Sequence, residues 1–305
     1  MQIHLPIAEM SVSAEIIFLV SAFVGFLSGV FGIGGGFLTT PFLIFTGIPP
    51  GIAVGTQASQ LVASSVSGAI GHWRRNNVDI KMGLVMLTGG IMGSFVGIMI
   101  FKLLEFFGQV DFAISLIYVV LLSSIGIMML IETVFSKFFK KKNVRQEFNT
   151  LRVSPFIASL PYKMRFPRSK LFISALVPGG IGFIGGILAS VLGIGGGFLL
   201  VPAMIYILGM PTLLVAGTSL FQIIFTTASA TIMHAVFNNT VDMVLAIILI
   251  LGGVIGAQLG ISAARFVKPT QARIIMAIMV LLVAAQLSYK LFVEPSELFS
   301  TLVWP

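Results

Sequence analysis

The sequence contains no cysteine, so disulfide bonds, thiolate nucleophiles and cysteine-ligated metal sites are excluded. Charged residues are also scarce: they make up 9% of the 305 residues, whereas hydrophobic residues make up 57%. Soluble domains carry about 25% charged residues, and the mean hydropathy here is +1.08. This composition is typical of a chain whose folded surface faces lipid.

The acidic residues avoid the middle of the apolar stretches. All ten lie at or near predicted helix ends or in loops, at Glu9, Glu15, Asp79, Glu105, Asp111, Glu132, Glu147, Asp242, Glu294 and Glu297. The mid-membrane carboxylates that many cation sites and proton relays use are therefore missing. Sequence motifs of zinc proteases, serine hydrolases and P-loop ATPases are absent as well. We therefore expect a protein that is not an enzyme and that needs no cofactor or metal.

Most of the positive charge lies in one segment. Residues 137–170 contain ten of the eighteen Lys and Arg residues and a single acid, Glu147. Because the rest of the chain is nearly neutral, the formal net charge of +8 does not indicate nucleic-acid binding. A basic loop between apolar spans is typical of a cytoplasmic connection.

Eight apolar stretches have about the 20 residues that a membrane-spanning helix needs. They lie near residues 14–33, 52–72, 80–103, 112–135, 171–192, 213–236, 241–265 and 271–292. Two shorter apolar pieces, residues 37–46 and 198–208, each lie between a glycine cluster and a Gly-X-Pro turn. They are too short to cross a bilayer upright and are predicted to be half helices. The sequence thus predicts an all-α polytopic membrane protein.

The second half of the chain repeats the first. GIGGGF at residues 32–37 recurs at residues 193–198, and each copy is followed four residues later by a proline. The match continues through Gly47-Ile-Pro49 and Gly209-Met-Pro211, Gly55-Thr56 and Gly217-Thr218, Gln60 and Gln222, His72 and His234, Asn77 and Asn239, Asp79 and Asp242, and Gly89-Gly90 and Gly252-Gly253. We therefore predict a first transmembrane repeat at residues 1–136, a basic cytoplasmic loop at 137–170, a second repeat at 171–293 and a short C-terminal tail at 294–305.

The odd number of segments in each repeat predicts opposite orientations for the two copies. Each unit has five segments, and two odd units in series form an inverted repeat, as in many secondary transporters. With the central loop in the cytoplasm, sixteen of the eighteen Lys and Arg residues lie inside and only Lys102 and Lys290 outside. We expect an inner-membrane protein with both termini in the periplasm. No Lys or Arg precedes Arg74, so the basic region of a cleavable signal is missing and the first helix is expected to be retained.

The two glycine clusters are the first candidate site, because each joins a full helix to a half helix. Glycine permits a break and a close approach to the backbone, and the half helix that follows begins with unpaired N–H groups that bind anions. The candidate residues are Gly34, Gly35, Gly36, Phe37, Gly195, Gly196, Gly197 and Phe198. Plain helix packing is the alternative, but three adjacent glycines weaken a helix more than packing requires. Inverted repeats bring equivalent breaks toward a common axis, so we predict a site near the bilayer midplane.

A polar stripe on the helix after each Gly-X-Pro turn is the second candidate. Gln57, Gln60, Ser64 and Ser67 share one helix face, and Ser219, Gln222, Thr226 and Ser229 form the equivalent stripe. Such groups can solvate an ion without carrying charge, or they can form interhelical hydrogen bonds. We include Gln57, Gln60 and Gln222, with Thr56 and Thr218, among the candidate substrate contacts, and we expect the lone hydroxyls to serve packing. His72 and His234 end equivalent helices and are expected to be interfacial anchors.

These motifs resemble the TauE/SafE family, also called the sulfite exporter or DUF81 group. The resemblance rests on the duplicated GIGGGF-x3-P motif with its Gly-X-Pro and Gly-Thr pairs, and it covers about residues 16–291. It implies a bacterial inner-membrane exporter of a small anion such as sulfite, a sulfonate or a related organic anion, with membrane lipid as the other partner. Two alternatives stay open: a carrier of small neutral or zwitterionic solutes, since the predicted site has no buried Lys or Arg, and a non-catalytic membrane assembly subunit.

The charge distribution leads to a prediction about topology. In intact spheroplasts, a single cysteine placed near Lys141 should be protected from an impermeant thiol reagent, whereas a cysteine at Asn239 should react. Because the chain has no cysteine of its own, the reagent has no native target. Labelling of the position near Lys141 from outside would contradict the predicted orientation.

Overall fold

The computed structural model describes residues 2–31, 36–138, 160–263 and 269–292. The first half contains α1 (Ala14–Phe31), α2 (Gly36–Phe45), α3 (Pro50–Arg74), α4 (Ile80–Phe106) and α5 (Val110–Phe138). The second half contains α6 (Leu176–Leu192), α7 (Gly197–Tyr206), α8 (Thr212–Met233), α9 (Met243–Ala263) and α10 (Pro269–Phe292). A π-helical turn, His234–Asn238, extends α8. Each of the ten helical segments predicted from the sequence contains a helix, although residues 171–174 of the predicted span 171–192 form a strand; labels five apart mark equivalent helices of the repeat.

Each half begins with a β-hairpin that the sequence analysis did not predict. Strand β1 (Gln2–Leu5) pairs antiparallel with β2 (Met10–Ser13), and β3 (Lys163–Phe166) pairs antiparallel with β4 (Leu171–Ser174). In both hairpins the first strand ends in a buried apolar residue followed by proline, and the residue before the second strand, Glu9 or Lys170, has a positive φ. The hairpins are therefore part of the repeat. Strand β3 lies within residues 137–170, which the sequence analysis assigned to a loop; residues 139–159 of that loop and the tail from residue 293 lie outside the described residues.

Prolines and aspartates define where four of the helices begin. Pro49 and Pro211 are the N-cap residues of α3 and α8, and in α3 Pro50 follows at the first helical position, where its fixed φ favours the helix. The Asp79 carboxylate caps α4 by accepting a hydrogen bond of 3.1 Å from the N–H of Met82. The Asp242 carboxylate caps α9 by accepting from the N–H groups of the second and third residues that follow it, at 3.0 and 3.1 Å. Equivalent helices thus start through the same chemistry in both repeats.

The helices of one half pack mainly against helices of the other. Helix α1 lies parallel to α9, and a Cβ added to Gly25 would lie only 2.4 Å from the carbonyl oxygen of Gly253. The equivalent pair, α6 and α4, makes the same contact through Gly186, whose added Cβ would lie 2.0 Å from the carbonyl oxygen of Gly90. Helices α3 and α8 run antiparallel between these pairs, since Gly68 near the end of α3 contacts Leu220 near the start of α8. Small residues at such crossings let two backbones touch, which is the main way helices associate in lipid.

Five helices of the described chain are long and apolar enough to cross a membrane: α4, α5, α8 with its π-helical turn, α9 and α10. The sequence analysis predicted about eight spans, and α1, α3 and α6 account for the difference. Helices α1 and α6 are apolar but only 18 and 17 residues long. Helix α3 has 25 residues and carries the polar stripe. The fold is thus an all-α polytopic membrane fold with two small hairpins, and the count of eight stays a prediction.

The contact between α4 and α6 leads to a second prediction. A Cβ at Gly93 would lie 2.0 Å from the carbonyl oxygen of Phe183. Gly93→Ala should push these helices apart and lower the free energy of unfolding by about 1–3 kcal/mol, the usual cost of overpacking. Gly71→Ala is the matched control, because a Cβ there meets nothing within 4 Å. Thermal unfolding of the two purified variants in one detergent measures the difference, and equal melting temperatures would contradict the backbone contact.

Candidate functional site

The second glycine cluster is a true break between two helices. Gly193 ends α6 with a φ of 68°, and Gly195 and Gly196 both have a φ of 72°, a left-handed region that side chains disfavour. Gly196 is the N-cap of α7 and makes no side-chain capping bond. Its carbonyl accepts the first helical hydrogen bonds, which come from the two N–H groups of Leu199 and Leu200. The amides of Gly197 and Phe198 lie ahead of these bonds, at the positive end of the half helix.

The start of α2 lies against this break. Gly32 to Gly35, and with them the candidates Gly34 and Gly35, lie outside the described residues, but α2 begins at Gly36. A Cβ at Gly36 would lie 2.8 Å from the carbonyl oxygen of Gly193. The two equivalent phenylalanines, Phe37 and Phe198, stack with ring centroids 4.3 Å apart and planes 10° apart, and each is 2% exposed. The described parts of the two half helices therefore meet at the centre of the protein.

Apolar side chains close the space beside the two half-helix starts. The Leu61 side chain lies 2.6 Å from the Cβ position of Gly36 and 2.9 Å from that of Gly195. Ile223, the equivalent of Leu61 on α8, also contacts Gly195. In this conformation these two side chains therefore occupy space beside the described half-helix starts.

The three glutamines of the polar stripes are buried and only partly paired. Gln57 and Gln222 are 0% exposed and Gln60 is 2% exposed. The amide nitrogen of Gln60 donates to Ser21 Oγ at 2.9 Å, but its oxygen has no hydrogen-bond partner among the described residues. Both polar atoms of Gln57 and of Gln222 lack such a partner as well. Each unsatisfied buried group costs about 1–3 kcal/mol, so these amides need an explanation beyond packing.

Two of these amides lie in slots formed by glycine. A Cβ at Gly253 would lie 2.2 Å from the amide nitrogen of Gln60, and a Cβ at Gly90 would lie 2.7 Å from that of Gln222. Each glutamine therefore reaches across to the double glycine of the other repeat. In the sequence, Gly89-Gly90 and Gly252-Gly253 stand out only as matched positions of the repeat. Each double glycine follows the glutamine of its own repeat at nearly the same distance in both repeats, which is the pattern that could have drawn attention to it. The contact between glutamine and glycine itself forms only when the two halves pack together.

The hydroxyls of the stripes bond mostly to their own helix. Ser64 donates to the carbonyl of Leu61, Ser219 to that of Ala216, and Thr226 to that of Gln222. Such bonds to the preceding turn satisfy the hydroxyl without a ligand. These three hydroxyls therefore bond within their own helices, and not across to a neighbouring helix as the packing interpretation of the sequence had it.

Thr56 and Thr218 form a structural joint between the repeats. The Thr218 hydroxyl accepts a hydrogen bond of 2.9 Å from the N–H of Asp79, and the Thr56 hydroxyl accepts one of 3.0 Å from the N–H of Asp242. Each aspartate also holds the hairpin of the other repeat: Asp79 accepts from the N–H and hydroxyl of Ser169, and Asp242 from the N–H of Ile7. Both threonine hydroxyls thus accept a hydrogen bond that joins the two repeats, and their contact with the substrate stays a prediction.

The two histidines have different environments, although the sequence analysis expected both to be interfacial anchors. His72 is half-buried at the end of α3. His234 is 0% exposed, so the prediction of an interfacial anchor is wrong for this residue. Its Nε2 lies 2.7 Å from the carbonyl oxygen of Ser190, and its ring packs edge-on against Phe101. His234 is buried because α8 packs against α6. Its position at the end of its own helix did not indicate this contact.

The fold and the site define a multi-pass helical membrane protein whose two halves meet at paired half helices. Residues 17–287 match the family model of the sulfite exporter TauE/SafE, and the chain belongs to this family. Two similar proteins of Bacillus subtilis carry the name of probable membrane transporter protein. YjnA is 30% identical over 89% of this chain and 97% of its own length, and YunE is 26% identical over 91% and 98%.

A probable membrane transporter protein of Xylella fastidiosa is 29% identical over 80% of this chain and 82% of its own length. No solved structure matches the chain. The chain is thus a multi-pass transmembrane transporter of the TauE/SafE family.

The joint at Thr218 leads to a prediction that separates scaffold from substrate contact. Thr218→Val leaves the buried N–H of Asp79 without its acceptor and should lower the free energy of unfolding by about 1–3 kcal/mol. Thr218→Ser keeps the hydroxyl and should retain most of that stability. Thermal unfolding of both variants in the same detergent makes the comparison. A Thr218→Val protein with wild-type stability and no transport would assign Thr218 to the substrate instead.

Proposed function

We propose that this transporter is an inner-membrane exporter of a small anion, such as sulfite, a sulfonate or a related organic anion, and that the anion binds between the paired half helices. The observation that carries the proposal is the set of buried amides without partners, Gln57 and Gln222 above all. Gln57 lies one helical turn before Leu61 on the same face of α3, and the Leu61 side chain contacts both half-helix starts. A ligand that displaced Leu61 would therefore come close to the half-helix N–H groups and to the Gln57 amide.

The chemistry of these donors suits a weakly held oxyanion. Amide N–H groups donate hydrogen bonds, and the starts of α2 and α7 add the positive ends of two helix dipoles. None of these groups carries a full charge, so the anion can be bound without being trapped, as transport requires. Sulfite, sulfonate and carboxylate groups each present two or three oxygens that can accept several such bonds at once.

The helix directions support an inverted repeat around this site. Helix α1 is parallel to α9 and α4 is parallel to α6, whereas the equivalent helices α3 and α8 are antiparallel. This is the arrangement expected when one five-helix unit is repeated upside down, with all eight long helices crossing the membrane. Movement of the α1–α9 pair against the α4–α6 pair would then expose the site to each side in turn, because each pair is held together by backbone contacts.

The charges of the hairpins support the orientation. The second hairpin exposes Lys163, Arg165, Arg168 and Lys170, and residues 160–176 contain no acid. The first hairpin has no Lys or Arg and contains Glu9. Because basic segments stay in the cytoplasm, the second hairpin is assigned to the cytoplasmic side and the first, with the N-terminus, to the periplasmic side.

The membrane potential can drive export without a coupling ion. A monovalent anion gains about 2.3 kcal/mol for each 100 mV when it leaves a cell that is negative inside. The described acids Asp79 and Asp242 are N-caps engaged with the hairpins, not members of a mid-membrane relay. A uniporter of this kind needs only a selective site and alternating access.

A carrier of small neutral or zwitterionic solutes is the second candidate. The buried glutamines favour such a solute because an amide offers a hydrogen-bond acceptor as well as a donor. In addition, no Lys or Arg is among the buried residues of the described chain. Proteoliposomes loaded with sulfur oxyanions, sulfonates, carboxylates and zwitterionic amino acids distinguish the two. Efflux of an anion that accelerates with an inside-negative potential supports the proposal. Electrically silent transport of the zwitterions alone would replace it, and transport of none would reject both.

The buried amides lead to a prediction about affinity. Gln222→Ala and Gln57→Ala should raise the KM for the transported anion by about ten- to a hundredfold, the cost of one hydrogen bond to a charged group. Gln258→Ala is the matched control, because Gln258 is exposed on α9. Initial rates in proteoliposomes with equal amounts of folded protein give the KM values. If all three variants match the wild type, the glutamines do not bind the anion.

A further inference from the structure

A groove of about 830 Å³ lies on the outer surface between α4 and α6, next to the second hairpin. Its walls are apolar and include Val85, Met92 and Phe183, while Tyr162 and Lys163 line its end at the hairpin. The surrounding surface of the two helices exposes large apolar side chains such as Leu84, Ile91 and Ile184. This surface faces lipid in a membrane protein.

The groove exists because two residues of α6 that line it, Gly179 and Gly180, have no side chains. A Cβ at Gly180 would meet nothing within 4 Å, and one at Gly179 would meet only the carbonyl oxygen of Val85, at 3.9 Å. The equivalent residues of the first repeat, 161 positions earlier, are Phe18 and Leu19. Leu19 is 65% exposed, so the first repeat projects a large side chain where the second leaves space.

The hairpin residues at the end of the groove also differ in charge from the equivalent residues of the first repeat. Lys163 and Tyr162 are exposed at the start of a hairpin with four cations, whereas the equivalent of Lys163 in the first hairpin is Gln2. A groove that is apolar along the helices and cationic at the membrane surface matches a molecule with an apolar tail and an anionic head.

We propose that this groove binds an anionic phospholipid, with one acyl chain between α4 and α6 and the phosphate at Lys163 and the Tyr162 hydroxyl. The acyl chain fills the space that Gly179 and Gly180 leave open. The phosphate lies at the level of the hairpin, where the headgroups of a bilayer begin. The bound lipid bridges the second hairpin and the two helices, and it does not depend on the identity of the transported solute.

Native mass spectrometry of the full-length protein tests this site. The protein is exchanged into micelles containing phosphatidylglycerol or phosphatidylcholine with identical acyl chains, and retained lipid is counted. The wild type should retain phosphatidylglycerol in preference. Lys163→Gln should lower that retention about fivefold, the effect of one basic residue at a membrane surface, and should leave phosphatidylcholine unchanged. Lys102→Gln, on the opposite side of the protein, is the matched control and should behave as the wild type.

The acyl-chain half of the site needs its own variant. Gly180→Leu should reduce retention of both lipids, because a Cβ at this position meets no protein atom within 4 Å and the leucine side chain would take up space in the groove. Gly71→Leu places a leucine at another open glycine and should have no effect. Equal retention by Lys163→Gln and Lys102→Gln would overturn the proposal, as would full retention by a folded Gly180→Leu. Dimers that Gly180→Leu converts to monomers would show that a second copy of the chain occupies the groove.

Discussion

The fold depends on two places where helix backbones touch. Gly25 of α1 lies against Gly253 of α9, and Gly186 of α6 lies against Gly90 of α4. In lipid there is little hydrophobic gain from bringing two apolar helices together, so close packing must supply the attraction. Each of these parallel pairs takes one helix from each half of the chain. Neither half therefore contains a complete pair, and the two halves form one structure.

The same glycines create the candidate site. Gly90 and Gly253 touch a partner helix, and they also leave the slots that the amides of Gln222 and Gln60 occupy. A Cβ at either position would displace the amide, whereas the carbonyl oxygen of the same glycine contacts the partner helix. Helix packing and the proposed binding of substrate thus depend on the same residues, which fits the recurrence of the glycine pair and the glutamine in both repeats.

The repeats differ at a few positions where the surroundings differ. Ser21 holds the amide nitrogen of Gln60, but its equivalent, 161 positions later, is Gly182, where a Cβ would lie 2.0 Å from the carbonyl oxygen of Met86. The amide of Gln222 is therefore left wholly without a partner among the described residues. The two halves of the proposed site are therefore not equivalent: the amide nitrogen without a partner in the described chain belongs to Gln57 in the first repeat and to Gln222 in the second.

The sequence by itself determined the ten helices, two of which are short half helices, and the repeat. These follow from local properties: the length of the apolar stretches, the positions of glycine and proline between them, and the order of matched residues in the two halves. It also identified the buried glutamines, because an amide among apolar neighbours is conspicuous in any register. Only the tertiary structure decided which groups these residues meet. The hairpins carry too little alternation to be recognised, and their anchors, Asp79 and Asp242, lie in the other repeat. The stack of Phe37 on Phe198, the burial of His234 and the engagement of Thr56 and Thr218 all arise from contacts between residues more than a hundred positions apart or on different helices, which no local pattern encodes.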